Sequence, residues 1–239
     1  MNSLDQIREF VDDRVRRFLE LRGDREYPEE LVQEMAALGY FGWNIPAQFG
    51  GSHSDSASIL DAMEELARGW LCLPSIVGSH QRVATYFLRA GTETQRHEFL
   101  PHLASGRYLW AHAYNERQTE GWRELGTVVE QRGAEWVLSG VKDWVTNAAQ
   151  AHRILVLARA PDDKLAAIVV DPSRPEVRLD ELPRPGMHGS SLCRVEVQNL
   201  KFSPERDRVG GPAGDVASVL ASAADLKGLA FACRAVGAA

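Results

Sequence analysis

The sequence of 239 residues predicts an α+β protein, with an α-helical N-terminal domain, a small β domain and a final helix. Apolar residues recur at helical spacing through the first hundred or so residues. From Tyr108 onward, short runs rich in Val, Leu, Ile and Trp alternate with turn signals, and the last segment is Ala-rich and apolar. We therefore divide the chain into a helical domain at 1–107, a β domain at 108–212 and a last helix at 213–239.

Helix start and stop signals order the first domain. Pro28 opens a helix that Gly39 closes, because proline suits the first helical turn and glycine suits the position after the last. A further helix is predicted from about Ser75 to Ala90. The stretch "TETQ", Thr92 to Gln95, is a capping-box pattern that starts another helix, which ends near Gly106.

The β region contains runs such as "YLWAHAY", "EWVLSG", "RILVLARA" and "CRVEVQNLKF", which predict a compact β-barrel or sandwich. Within the stretch "KDWVTN", Trp144 and Thr146 stand two residues apart. On a strand, such residues point to the same face, so they would form an apolar wall with one hydroxyl. That wall suits a flat heteroaromatic ligand and equally an ordinary barrel interior.

The final segment, "VASVLASAADLKGLAFACRAVGAA", is apolar on nearly every face, as a buried helix is. Either this helix folds back on its own protein or another chain covers it. We favour the second alternative, because an exposed apolar helix promotes aggregation. The sequence thus predicts a homo- or hetero-oligomer formed through the C-terminal helix.

Composition excludes several classes of function. The net charge of -6 argues against nucleic acid or an anionic membrane as the main partner, and no apolar run is long enough to span a bilayer. The isolated cysteines, Cys72, Cys193 and Cys233, predict a reduced, cytoplasmic protein. The histidines lack metal-ligand spacing, so no metal site is predicted.

Four stretches of the chain resemble the acyl-CoA dehydrogenase family. They are "LVQEMAALGYFGWNIPAQFGG", "RAGTETQRHEFLPHLASGRYLWAHAYNE", "GAEWVLSGVKDWVTNAAQAHRILVLAR" and "PGMHGSSLCRVEVQNLKFSPERDRVGG". They follow the order of the family's motifs and cover nearly the whole chain. The resemblance implies that the small β domain is a β-barrel and that the cofactor is FAD.

The resemblance also implies roles for four residues. The Trp and Thr of the family's Lys-x-Trp-Ile-Thr-Asn motif contact the flavin, which places Trp144 and Thr146 at the ring. Tyr114 and Asn115 correspond to the strand end that binds the pyrimidine side of the flavin.

Two departures from the family pattern bear on function. Where the family has Thr-Glu-Pro-x-Ala-Gly-Ser-Asp, this chain has "NERQTEGW", Asn115 to Trp122, which affects a turn that holds flavin and the acyl-thioester arm. The sequence also ends after the first helix of the family's C-terminal domain, which supplies the catalytic glutamate and the oligomer contacts. The resemblance therefore assigns no catalytic residue here and implies a truncated member of the family.

Other polar residues near these motifs receive structural interpretations. Lys142 is expected to be a surface or loop-bracing lysine, and Asn147 to cap a turn. Glu116 is expected to accept hydrogen bonds from backbone amides, and His112 to be a satisfied barrel histidine.

The sequence thus predicts a flavin-linked oxidoreductase subunit that acts on an acyl thioester, carried by CoA or an acyl carrier protein. Self-association or a partner subunit would complete the site. One alternative is a non-redox variant of the fold, a cyclase, dehydratase or isomerase acting on a carrier-bound acyl chain. Another is a non-catalytic subunit that stabilises a partner.

Overall fold

A computed structural model describes residues 4–161 and 163–239 of the chain. The helices are α1 (Leu4–Glu9), α2 (Arg16–Arg22), α3 (Glu29–Ala37), α4 (Ser56–Gly69), α5 (Cys72–Ala90), α6 (Glu93–Ser105), α7 (Pro204–Asp207) and α8 (Ala217–Ala238). The strands are β1 (Trp110–Ala113), β2 (Val128–Arg132), β3 (Glu135–Thr146), β4 (Arg153–Arg159), β5 (Leu165–Val170), β6 (Val177–Glu181) and β7 (Leu192–Phe202). The predicted order of helices, strands and a final helix is confirmed.

The N-terminal helical region packs around two apolar clusters. A π-helical segment, Phe10–Val15, joins α1 to α2, and Ile7, Val15 and Met35 of this region are fully buried. The capping box of α6 forms as predicted: the Thr92 hydroxyl accepts from the Gln95 amide, and the Gln95 side chain accepts from the Thr92 amide. Gly106 then ends α6 in the left-handed conformation that glycine adopts without strain.

The strands form one mixed sheet rather than two stacked sheets. Strand β3 pairs antiparallel with β2 and β7, and β6 pairs with β7. Strand β4 pairs antiparallel with β5 on one side and parallel with β1 and β2 on the other. In the described part of the chain β5 and β6 are not paired with each other, so hydrogen bonds do not close the predicted barrel into a ring.

Strand β3 is irregular at the motif that contains Trp144. Its register against β7 shifts between Lys142 and Val145, as a β-bulge does. Trp144 has a φ of 57°, and the Asp143 amide donates to the Asn115 carbonyl instead of to β7. The bulge adds backbone at this point, but Val145 is buried between the exposed Trp144 and the half-buried Thr146, so the alternation expected from spacing is kept.

The C-terminal helix α8 lies against α4 and α5 of its own chain. Val219 and Arg234 are buried on this side, and Gly237 packs so closely on α4 that an added Cβ would overlap the Glu64 carbonyl. We expected another chain to cover this helix, but α4 and α5 of the same chain cover one of its faces. Leu229 and Val236 remain exposed on another face.

None of the helices in the described residues is both long enough and apolar enough to cross a membrane.

Candidate functional site

A cavity of about 490 Å³ opens at the seam between the helical region and the sheet. Helices α5 and α8, the end of β1, the end of β3 and the loop before β7 line it. The lining residues used below are Ser79, Arg82, His112, Tyr114, Asn115, Asp143, Trp144, Thr146, Arg184, Phe231 and Arg234.

All four residues that the resemblance selects line this one cavity. Tyr114 and Asn115 follow the end of β1, and Trp144 and Thr146 stand at the end of β3. The Trp144 side chain is 46% exposed, which is unusual for an indole within a folded chain. The bulge produces this exposure, because it turns Trp144 out of the ladder while Val145 stays in the core.

Buried polar contacts hold the end of β3 against α5. The Asn147 side-chain amide donates to the Ile76 carbonyl at 2.9 Å, and the Ser79 hydroxyl donates to the Thr146 carbonyl at 3.4 Å. Asn147 stands at the cap position of the turn after β3, as expected, but its side-chain amide joins sheet to helix instead of bonding to the turn. Only its backbone, with a φ of 71°, serves the turn that follows β3.

A buried ion pair braces the loop between β1 and β2. The Lys142 ammonium donates to Glu116 at 2.8 Å and to the Tyr114 carbonyl at 3.1 Å. Glu116 also accepts from the amides of Gly126 and Thr127, which confirms its predicted structural role. Lys142 braces the loop as expected, but its side chain is buried and not on the surface.

The electrostatics of this pair follow from its burial. Burial lowers the pKa of Lys142 to about 8, against the opposing effect of Glu116. Burial alone would raise the pKa of Glu116, but hydrogen bonds from Lys142 and Thr127 outweigh it and hold that pKa below its usual value. The two effects differ because Glu116 accepts from several donors, whereas Lys142 relies on one carboxylate and one carbonyl.

Asp143, His112 and Arg184 of the cavity wall each have polar partners. Asp143 is buried and accepts from the Arg117 guanidinium at 3.1 Å. The His112 ring stacks on Tyr86, and its Nε2 lies 3.2 Å from the Tyr86 hydroxyl, as expected for a satisfied histidine. Arg184 pairs with Glu181 and donates to the Met187 and His188 carbonyls.

Arg82 on α5 and Arg234 on α8 also line the cavity, but neither forms an ion pair among the described residues. Burial lowers the pKa of Arg82, and burial followed by repulsion from Arg82 lowers the pKa of Arg234 to about 10. The Arg234 Nε atom is buried without a hydrogen-bond partner among the described residues. Sequence reasoning missed this pair, because each arginine occupies an ordinary helical position and nothing local marks their meeting.

Within the described residues, no cluster of three histidine, cysteine or acidic side chains could hold a metal ion.

The fold and the cavity together define a class of protein. A helical domain sits on a mixed sheet, and ligand-sized space at their seam is lined by the sheet's exposed indole and by helix α8.

Comparison with protein families specifies that class. The family models for the acyl-CoA dehydrogenase N-terminal domain and middle domain match residues 2–107 and 119–200. The chain therefore belongs to the acyl-CoA dehydrogenase family, and the matched part comprises its N-terminal and middle domains.

Three known proteins illustrate the similarity. The (2S)-methylsuccinyl-CoA dehydrogenase of Cereibacter sphaeroides is 32% identical over 84% of this chain, which spans 39% of that protein. The glutaryl-CoA dehydrogenase of Desulfococcus multivorans is 29% identical over 95% of this chain, which spans 63% of it. The glutaryl-CoA dehydrogenase of Mycobacterium smegmatis, solved in complex with FADH2, has a TM-score of 0.86 at 25% identity over 98% of this chain and 60% of its own.

Proposed function

We propose that the chain is a flavin-linked oxidoreductase subunit that acts on an acyl thioester. The observation that carries the proposal is the meeting of Tyr114, Asn115, Trp144 and Thr146 around one cavity. FAD, when bound, supplies the acceptor for a hydride removed from the carbon chain.

The cavity wall fits a flavin ring. Trp144 offers an exposed aromatic surface, and a flat heteroaromatic ring packs well against an indole. Among the described residues, the Thr146 hydroxyl and the Asn115 amide make no side-chain hydrogen bond, so both remain available to a polar ring edge. These three side chains would hold and orient the ring, while Val145 anchors the strand behind them.

The substrate class is proposed from the named relatives. Two of them are dehydrogenases of methylsuccinyl-CoA and glutaryl-CoA, which are acyl thioesters. We therefore place an acyl thioester in the rest of the cavity, with CoA or an acyl carrier protein as its carrier. The reaction would be oxidation of a CH–CH bond.

The base that removes the α-proton is proposed to come from outside the described cavity wall. Asp143 is a carboxylate of that wall, but it is buried and already paired with Arg117. A second subunit could supply the base, and the exposed face of α8 around Leu229 and Val236 is the surface we propose for that contact.

An absorbance scan combined with native mass spectrometry tests the proposal on the full chain with added FAD. We expect flavin bound in stoichiometric amount, and an affinity at least about tenfold weaker in Trp144→Ala. Trp136→Ala is the matched control, because Trp136 lies on the same strand but packs on Phe202. Absence of flavin binding would contradict the proposal and favour a non-redox variant of the fold.

A further inference from the structure

The pair Arg82 and Arg234 lies on the boundary between two cavities. Both arginines line the main cavity, and both also line a smaller one of about 190 Å³ between α4, α5 and α8. Apolar side chains of Ile59, Leu60 and Met63 form part of the smaller cavity. A carbon chain that extends from the main cavity toward α4 would meet both guanidinium groups.

Within the part of the chain that the structure describes, these two cations have no anionic partner. The Tyr86 hydroxyl acts to raise the pKa of Arg82, and the charge of Arg82 acts to lower the pKa of Arg234. Arg234 also lies 5.5 Å from the centre of the Phe231 ring, which is a weak attraction. Among the described residues, neither guanidinium forms an ion pair, although buried charges are ordinarily paired.

The helix backbone makes room for this arrangement. Gly78 on α5 faces Arg234, and an added Cβ at Gly78 would overlap the Arg234 Nη2 atom. The absence of a side chain at Gly78 thus allows the Arg234 guanidinium to lie against α5, on the same helix as Arg82.

We propose that Arg82 and Arg234 bind a carboxylate carried by the acyl group, so that the substrate is the thioester of a dicarboxylic acid. This inference rests on the proposed function, because it names the acyl class of the same cavity. Guanidinium groups bind carboxylates through paired hydrogen bonds, and a bound carboxylate would offset the repulsion between the two arginines. The apolar walls on either side suit the methylene chain between the two acyl ends.

Calorimetric titration of the full chain loaded with FAD tests the proposal. The probes are glutaryl-CoA and pentanoyl-CoA, which have the same carbon count and differ in the terminal carboxylate. We expect glutaryl-CoA to bind at least about tenfold more tightly. Equal affinity for the two thioesters would overturn the proposal.

Variants connect the preference to these residues. Arg82→Met and Arg234→Met should each reduce the ratio of the affinities for glutaryl-CoA and pentanoyl-CoA to near one. Gly78→Ala should also reduce this ratio, because the added Cβ displaces the Arg234 side chain. Arg178→Met on β6, where Arg178 pairs with Asp180, is the control and should keep the preference. A preference that survives both methionine variants would contradict the assignment.

Thermal unfolding separates a binding role from a structural one. Removing an unpaired buried cation should raise the melting temperature of the ligand-free protein, so Arg234→Met should be more stable than the unaltered chain. A lower melting temperature together with unchanged discrimination would assign Arg234 to structure and overturn the proposal.

Free glutarate distinguishes failure of this inference from failure of the proposed function. If glutarate raises the melting temperature through Arg234 while no thioester binds, the anion site stands and the acyl-thioester function fails. A different result would leave the function standing and refute this inference: pentanoyl-CoA and flavin bind, but glutarate and glutaryl-CoA bind as tightly to the methionine variants as to the unaltered chain. Inorganic phosphate that stabilises as strongly as glutarate would overturn the assignment to a carboxylate.

Discussion

At the scale of single residues, the Glu116 carboxylate connects three segments of the chain. It joins the loop after β1 to β3 through Lys142, and to the residues just before β2 through the Gly126 and Thr127 amides. Sequence reasoning correctly predicted its backbone bonds. The ion pair was not predicted, because its partner stands far along the chain and only the bulged strand brings the two together.

Replacing this carboxylate should cost stability in a pH-dependent way. Glu116→Gln leaves the Lys142 ammonium buried without its counter-charge, and we expect a loss of about 3 kcal/mol in the free energy of unfolding at pH 7. Because the pKa of Glu116 is lowered by folding, this difference should be complete above the unfolded pKa and disappear as pH falls through the lower folded value.

Urea unfolding at neutral and acidic pH measures the effect. Glu124→Gln is the control, because Glu124 is exposed in the same loop and accepts one amide bond, and we expect a change within about 0.5 kcal/mol. A Glu116→Gln variant whose loss is as large in strong acid as at pH 7 would refute the linkage.

The backbone of Trp144 lies in the left-handed region, which is strained for a residue with a side chain. A φ of 57° is costly for any residue with a Cβ, by roughly 1 kcal/mol, and glycine avoids this cost. We therefore expect Trp144→Gly to be more stable than Trp144→Ala by about 1 kcal/mol in urea unfolding.

Flavin titration completes this comparison. Both variants should lose flavin affinity equally, because both remove the indole. A glycine variant less stable than the alanine variant would show that the left-handed conformation is not strained here.

At the scale of elements, local signals predicted helices better than strands. The capping box of α6 and the glycine after it depend on residues within one helical turn, and both formed as predicted. The parallel pairing of β1 with β4 depends on segments far apart in sequence, and no local pattern encodes it.

Gln95 does more in α6 than its capping-box role requires. Its side-chain amide donates to the carbonyls of Arg206 and Arg208, and its oxygen accepts from the Gly210 amide as well as from Thr92. It therefore ties α6 to the segment after β7. We expect Gln95→Ala to cost about 3 kcal/mol of stability, and Thr92→Ala about 1 kcal/mol.

Chemical denaturation of the two variants tests this order. Equal losses would mean that the bonds to the segment after β7 contribute nothing beyond the cap. A larger loss in Thr92→Ala would contradict the assignment altogether.

At the scale of the whole molecule, α8 has two roles that its sequence alone could not separate. One face covers α4 and α5 and carries Arg234 to the cavity. The other face exposes Leu229 and Val236, whose accessible fractions are 54% and 63%.

If copies of the chain associate through that exposed face, charged substitutions on it should weaken the association. The double variant Leu229→Glu with Val236→Glu should raise the dissociation constant at least about tenfold in analytical ultracentrifugation, because each carboxylate would have to be desolvated at the contact. Leu21→Glu is the control, since Leu21 is 72% exposed on α2 at the other end of the chain. An unchanged sedimentation profile in the double variant would remove α8 as the contact surface.

The sequence by itself determined the order of helices and strands, the helix caps and the family, because these depend on local propensity and on motifs of contiguous residues. It also singled out the residues that line one side of the cavity, although their flavin role stays a proposal. Only the tertiary structure decided that β3 bulges at Trp144, that Lys142 meets Glu116 and that Arg82 meets Arg234. Those encounters join distant segments, and packing of the whole chain selects them rather than any short run of residues.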